Sequence, residues 1–341
     1  MIKLSFLISL YNGELYLERC LDSLLCQDVS HDLYDIICID DCSSDRTCEI
    51  ISKYQTSYSN IRLVKNERNC RLASNVNKLV ALTGAPYFWF IDQDDYIKPN
   101  CLQKIFNLLE TKKPDVLLFN YSLVSSEEAK IKDVTFFKNS DADSGVEFVK
   151  STFHHQNFCQ YIMGYKWRVV FCKEMWIAND IRCIDGMNYD DTIIVPKSII
   201  FAQKIVAIDD VLYYYRQNTT SMTYTTAFVK KGDYIFEFAF LVGDETEKFY
   251  KLLQTIDIEL SEVLYKHLQW RYNNFVLDLI RTSRQQKRVF YQILRENALL
   301  VNKKKHWLNW SAKLLVSRSG YILSIVGEWI YKLKKMMERK I

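Results

Sequence analysis

The chain has 341 residues, enough for one large domain or two ordinary ones, and its 49% hydrophobic and 25% charged residues fit a folded protein. Only 9 glycines and 4 prolines exclude collagen-like and low-complexity architectures. The formal charge of +4 is uneven, with carboxylate clusters in the first hundred residues and lysines in the tail. Ten cysteines are scattered without a CxxC pair, several inside apolar runs such as Ile36-Ile37-Cys38-Ile39. They read as free thiols in a reducing compartment, with neither a disulfide framework nor a sulfur metal site.

The first ten residues resemble a signal peptide only superficially. The apolar stretch is short, is broken by Ser5 and Ser9, and lacks a cleavage site, so Leu4 to Leu10 reads as a first strand. Tyr11-Asn12-Gly13 is a turn, and the spacing of Leu17, Cys20, Leu21, Leu24 and Leu25 predicts a helix. Asp35 to Asp40 is a second strand ending in Asp40-Asp41, after which Ser44 marks a helix N-cap region with Asp45 in the first turn. A short strand at Ile61 to Val64 and a helix at Leu72 to Leu82 follow. Tyr87-Phe88-Trp89-Phe90-Ile91 is apolar without alternation, the mark of an interior strand. Pro99 to Glu110 is a helix, and Asp115 to Tyr121 a further strand. Residues 122–150 read as a polar, irregular excursion, and residues 151–185 as helix and turns around His154-His155, Trp167 and Trp176. Ile205 to Tyr215 is strand material, and a helical pattern runs from about 230 to the end. No segment holds 18 uninterrupted apolar residues, so no transmembrane helix is expected.

The alternation of strand and helix predicts an α/β fold with a mostly parallel sheet covered on both faces. In such sheets ligands bind beyond the carboxyl ends of the strands. Ser9 to Asn12, Asp40-Asp41 and Asp92-Gln93-Asp94-Asp95 all lie at such ends and should converge. Three carboxylates where a buried strand surfaces repel one another, and the economical compensation is a divalent cation carrying a phosphate ligand. The plainer reading of the cluster is a polar turn.

These blocks, with two more, resemble the family 2 glycosyltransferases over roughly residues 1–225. The first is Leu7-Ile8-Ser9-Leu10-Tyr11-Asn12 with Leu17 to Gln27, where the family usually has proline in place of Ser9. The second is Ile37-Cys38-Ile39-Asp40-Asp41-Cys42-Ser43-Ser44-Asp45, with Cys42 in place of the usual glycine. The third, Phe90 to Asp95, has the DxDD form of the family's metal-binding motif. Tyr189-Asp190-Asp191 is similar to the Glu-Asp pair, and Tyr215-Arg216 with Ser221 to a segment of non-processive members. No Gln-x-x-Arg-Trp motif of processive polymerases is visible. Arg68-Asn69-Cys70-Arg71 through Asn77 matches only partly, Arg71 replacing a glycine and Val76 an arginine, which leaves donor base and sugar open.

The resemblance implies a GT-A nucleotide-diphospho-sugar transferase fold, Rossmann-like, over residues 1–228, and a helical C-terminal region over 229–341. It implies an inverting transfer of one sugar from a nucleotide-diphosphate donor, UDP being the expected carrier, to a saccharide or lipid-linked saccharide in surface-polysaccharide synthesis. Asp94 and Asp92 would hold Mg²⁺ or Mn²⁺, with Asp92 also reaching the ribose, and Asp95 would orient the loop or act as a plain turn residue. Asp41 would contact the base, Tyr11 would stack beside it, and Arg216 would meet the diphosphate when a loop closes. Asp191 would be the base that takes the acceptor's proton, with Asp190 positioning acceptor or loop; the alternative is an acidic pair capping a helix. Trp167 and Trp176 either stack on a sugar or fill the core.

Trp307, Trp310, Leu314, Tyr321, Trp329 and the lysines around Lys332-Leu333-Lys334-Lys335 give the tail an amphipathic, basic character. This fits peripheral contact with the cytoplasmic face of a membrane or a helix packed on the catalytic domain. Without an interleaved reading motif it does not fit nucleic acid. Two other functions compete. A nucleotidyltransferase acting on sugar phosphates would want a glycine-rich loop with lysine near the first strand, which is missing. A non-catalytic GT-A scaffold has no need of the acidic clusters.

Overall fold

The computed structural model of the chain describes residues 1–152, 165–185 and 191–218 and, beyond these, 245, 247–262 and 265. The chain divides into two compact units, Met1–Thr219 and Thr220–Ile341. In the second, Phe249, Leu253 and Leu260 are buried. The site lies in the first.

The first unit opens with β1 (Leu4–Leu10), α1 (Leu17–Leu25), β2 (Tyr34–Asp40), α2 (Thr47–Gln55), β3 (Ile61–Lys65), α3 (Arg71–Leu82) and β4 (Tyr87–Asp92). It continues with β5 (Tyr96–Ile97), α4 (Leu102–Lys112), β6 (Val116–Val124), β7 (Lys130–Val134), β8 (Ser140–Ala142) and α5 (Gly145–Thr152). After a 3₁₀ turn at Lys166–Arg168 come β9 (Val169–Cys172), α6 (Lys173–Ala178), α7 (Asp191–Phe201) and β10 (Ile205–Arg216). Among the described residues the strands form one sheet in the order β3-β2-β1-β4-β9-β6-β10-β5, with β7 on β6 and β8 on β10. The pairs β1–β2, β1–β4, β2–β3 and β6–β10 are parallel. β9 is wedged antiparallel between β4 and β6.

Both faces of the sheet are covered, which is why its central strands are apolar throughout. Phe6, Ile8, Trp89 and Ile91 pack with Leu17, Leu21 and Leu24 of α1 and Leu102, Ile105 and Phe106 of α4. On the other face Phe88 stacks on Phe171 at 5.5 Å, and both meet the edge of Trp176. Full burial of each such side chain contributes about 1.5–3 kcal/mol. Trp167 and Trp176 are both core residues, 1% and 4% exposed, which removes them as sugar-stacking surfaces.

Two local expectations differ from the structure. Residues 122–150 are not an irregular excursion: β6 runs on to Val124, β7 and β8 pair with the sheet, and α5 follows. Ser44 does not cap α2. Its N–H and hydroxyl go to Asn12 Oδ1, at 2.8 and 3.3 Å, and Asp45 Oδ1 takes the Thr47 N–H at 3.0 Å instead. The sequence marks a polar loop before a helix, but not which side chain a distant turn will claim.

Candidate active site

The parallel register sets the site. Leu10 lies opposite Asp40 and Ser9 opposite Asp92, so three strand ends open on one edge. At the first end, the Gln93 amide pairs with the Tyr11 peptide: the Tyr11 N–H donates to Oε1 and Gln93 Nε2 donates to the Tyr11 carbonyl, both at 2.9 Å. Tyr11 itself is 52% exposed, its ring free to meet a flat ligand. Gly13 is required here, because a Cβ would lie 2.4 Å from the clamped Gln93 Oε1.

At the second end, Asp41 is buried and acts on its own loop. Oδ1 accepts the Asn66 side-chain amide and the Cys70 N–H, each at 2.7 Å, and Oδ2 accepts the Arg71 N–H at 2.9 Å. Collecting two successive N–H groups forces the backbone to turn sharply, and Arg71 takes φ 68°. Cys42 takes φ 64°. Both occupy positions where the resemblance has glycine, so the left-handed geometry is kept although each side chain strains it by about 1 kcal/mol. Asp40 Oδ2 accepts the Ser43 N–H at 3.3 Å, and its buried Oδ1 has no hydrogen-bond partner among the described residues. A cleft lined by Ile39, Val64, Asn66, Arg68, Cys70 and Lys78 adjoins this network and not the Asp92–Asp95 loop.

At the third end, the carboxylates divide by environment. Asp95 is 1% exposed and accepts the Arg216 N–H and the Tyr213 hydroxyl, both at 2.8 Å. Burial, then the Asp94 and Asp92 charges, push its carboxyl well up. It braces the loop from below. Burial and the Asp92 charge raise Asp94 to about 6, against the opposing pull of Asn218 and Arg216. The Asp92 N–H donates to the Tyr213 hydroxyl at 3.1 Å, which locks the first residue of the cluster to the same ring.

These residues fit a divalent metal. A carboxyl whose proton affinity is raised by burial and a like charge gains from a cation at that point. Among the described residues no group of three or more His, Cys, Asp or Glu side chains forms a ready cage. Asp92 and Asp94 would therefore hold Mg²⁺ or Mn²⁺ together with oxygens brought by a ligand, the usual arrangement for Mg²⁺.

Arg216 is 3% exposed and committed to the protein. Nε donates to the Asp94 carbonyl at 2.9 Å, Nη1 to the Ser126 carbonyl at 2.6 Å and Nη2 to Glu128 at 3.1 Å. Its guanidinium also lies over the Tyr16 ring, 4.7 Å from the centroid. In this geometry the guanidinium holds the back of the Asp94 peptide.

Asp191 is the first residue of α7, and its Oδ1 accepts a hydrogen bond from Lys166 Nζ at 3.0 Å. Asp190, His154, His155, Thr220, Ser221 and the tail from 303 lie outside the described residues. Direct bonds thus join Tyr11, the Asp92–Asp95 loop and Arg216, whereas Asp41 bonds the loop 66–71 and Asp191 bonds Lys166. The sequence reading missed Lys166, Tyr213 and Gln93. A tyrosine in a run of three and a lysine in a 3₁₀ turn carry no local signature; only Gln93, inside the acidic cluster, was within sight of a motif.

Residues 5–170 match the family model described as glycosyl transferase family 2. A poly(ribitol-phosphate) beta-glucosyltransferase of Bacillus spizizenii is 31% identical over 118 residues, 34% of this chain and 19% of that protein. Glycosyltransferase GlyG of Streptococcus pneumoniae is 25% identical over 65% of this chain and 73% of its own length. The poly(ribitol-phosphate) beta-N-acetylglucosaminyltransferase TarS of Staphylococcus aureus is 25% identical over 81% of this chain and 46% of its own. The crystal structure of S. aureus TarS 1-349 in complex with UDP-GlcNAc superposes with a TM-score of 0.65 at 21% identity, covering 92% of this chain and 86% of that one. That likeness establishes the GT-A α/β fold. The chain spans less than half the length of the two poly(ribitol-phosphate) transferases it matches.

Proposed function

We propose that this chain, whose residues 5–170 match the family 2 glycosyltransferases, moves one sugar from a UDP-sugar, with inversion, to a hydroxyl of a saccharide or lipid-linked saccharide in surface-polysaccharide synthesis. The observation that carries the reading is the pair Asp92 and Asp94 at the end of β4. It is in register with the exit of β1, and Asp94 is raised to about 6 where a cation would relieve it. The UDP complex of a structurally similar protein supports the choice of nucleotide.

Tyr11 offers its exposed ring to the base. Asp41 shapes the base end by holding the Asn66–Arg71 loop. Asp92 and Asp94 would hold Mg²⁺ or Mn²⁺, which when bound would neutralise the charge of the leaving group. Arg216 and Asp95 keep the Asp94 peptide and the loop in place. Asp191 takes the proton of the acceptor hydroxyl as that oxygen attacks the anomeric carbon. Asp190 helps position the acceptor. The basic tail gives peripheral contact with the cytoplasmic face of a membrane, where a lipid-linked acceptor would be presented. Among the described residues no helix is long and apolar enough to cross a membrane.

The test is Asp191→Asn in the full chain. Transfer should fall at least 10³-fold while calorimetric binding of UDP with Mn²⁺ stays within twofold of the parent. Full activity in this variant would refute the base assignment.

A further inference from the structure

Lys166 belongs to none of the recognised blocks, yet its position is unusual for a lysine. It is 4% exposed, and its Nζ lies 3.0 Å from Asp191 Oδ1, with side-chain exposures of 5% and 17% for the pair. Taking an ammonium out of water is costly, and an ion pair of this kind is weak evidence for a gain in stability alone.

The turn that carries Lys166 is held from two sides. Its Trp167 carbonyl accepts the Trp89 indole N–H at 2.5 Å, and Trp89 lies in β4, the strand that delivers Asp92. The Trp167 ring stacks on Tyr213 at 4.3 Å and 10°, and on Tyr165 at 4.7 Å. Tyr213 in turn donates to Asp95 and accepts the Asp92 N–H. One aromatic stack therefore connects the turn holding the Asp191 partner to the loop holding Asp92 and Asp94. A shift of the turn would move the ammonium relative to both.

We propose that Lys166 is a positioning residue for proton transfer: its ammonium fixes the Asp191 carboxylate in one rotamer and keeps it ionised in a mostly buried setting. The proposal rests on the reading of Asp191 as the base. In the step it serves, the acceptor O–H proton goes to the Asp191 carboxylate. The freed oxygen pair forms the bond to the anomeric carbon. The bond from that carbon to the diphosphate oxygen breaks, and its electron pair leaves with the nucleoside diphosphate. Lys166 keeps its proton throughout. Titratable groups facing Asp191 include Lys166, at 3.0 Å, and the Tyr165 hydroxyl, whose proton affinity is raised by burial, with the Asp191 charge adding to it. An ammonium at this distance favours the charged form of the carboxylate.

Lys166→Met, Lys166→Gln and Lys166→Arg in the full chain test this, with UDP plus Mn²⁺ as the binding probe. For Met or Gln the expected result is a 10- to 100-fold loss of kcat, UDP affinity within twofold of the parent, and an acid limb of kcat/KM displaced to higher pH. Arg, which keeps the charge, should recover most of kcat and the parental acid limb. Parental kcat in Lys166→Met, alongside an inactive Asp191→Asn, would overturn the role of Lys166 and leave the base reading standing. An active Asp191→Asn would remove the base reading and this proposal with it. Loss of folding in both uncharged variants, with Arg restoring the fold but leaving kcat low and the acid limb moved, would also overturn it.

Discussion

Asp94 carries the clearest conflict between stability and function at the level of a single residue. Its carboxyl is raised from 3.8 to about 6, mainly by burial and then by Asp92. Native protein thus binds the proton more tightly than unfolded chain does. The favourable contribution of the protonated form is complete below about pH 4 and is lost as pH rises through about 6. In metal-free protein at pH 7.5, Asp94→Asn should therefore raise stability, on the order of 2 kcal/mol from a shift of this size. The gain should shrink toward zero at pH 4. Urea midpoints at the two pH values measure it, and equal gains at both would contradict the cause given. The acidic cluster itself was legible in the sequence, because three carboxylates stood directly after an apolar run. The division of labour inside it was not. Asp95 is taken by Tyr213 and Arg216, more than a hundred residues away, and no local pattern announces that pairing. The partners of Arg216 were hidden for the same reason: Ser126 and Glu128 lie on a connection that the sequence presents only as polar.

Secondary structure divides in the same way. The interior strands were visible because burial on both faces leaves an uninterrupted apolar run, and α1 because its apolar residues recur at helical spacing. β9 was not. It is four residues long, follows Lys166-Trp167-Arg168, and owes its place to pairing with β4 and β6. The packing of α5 on α7 was equally hidden. The Gly145 N–H donates to the Ala202 carbonyl at 2.9 Å, and a Cβ at Gly145 would fall 1.8 Å from the Ile199 carbonyl oxygen. The obstacle is backbone, which cannot step aside as a side-chain tip can. Gly145→Ala should therefore destabilise the chain by about 1–3 kcal/mol, read as a lower thermal midpoint. An unchanged midpoint would show that the two helices do not approach as described. Because α7 begins at Asp191, transfer activity should fall in the same variant.

At the scale of the whole molecule, the proposed function rests on topology. β1, β2 and β4 run parallel and end together, and each end carries a different group: an exposed ring, a loop-shaping carboxylate and a paired-carboxylate loop. β10, from the far end of the same unit, returns to place Tyr213 and Arg216 beneath that loop. The order of motifs along the chain made the resemblance legible, since their described residues fall at strand ends or at a helix start. Donor sugar, acceptor and linkage are not fixed by these blocks. The departures at Cys42 and Arg71 fall inside the matched stretches, after β2 and at the start of α3.

The most direct test of the central claim is a transfer assay with the purified full chain, a panel of nucleotide sugars and a cell-envelope acceptor extract, run with EDTA and then with added Mn²⁺ or Mg²⁺. Sugar incorporation and nucleoside diphosphate release are read together. The expected result is transfer from a UDP-sugar that stops with chelator and returns with the metal. No turnover with any donor, or turnover indifferent to the chelator, would contradict the account.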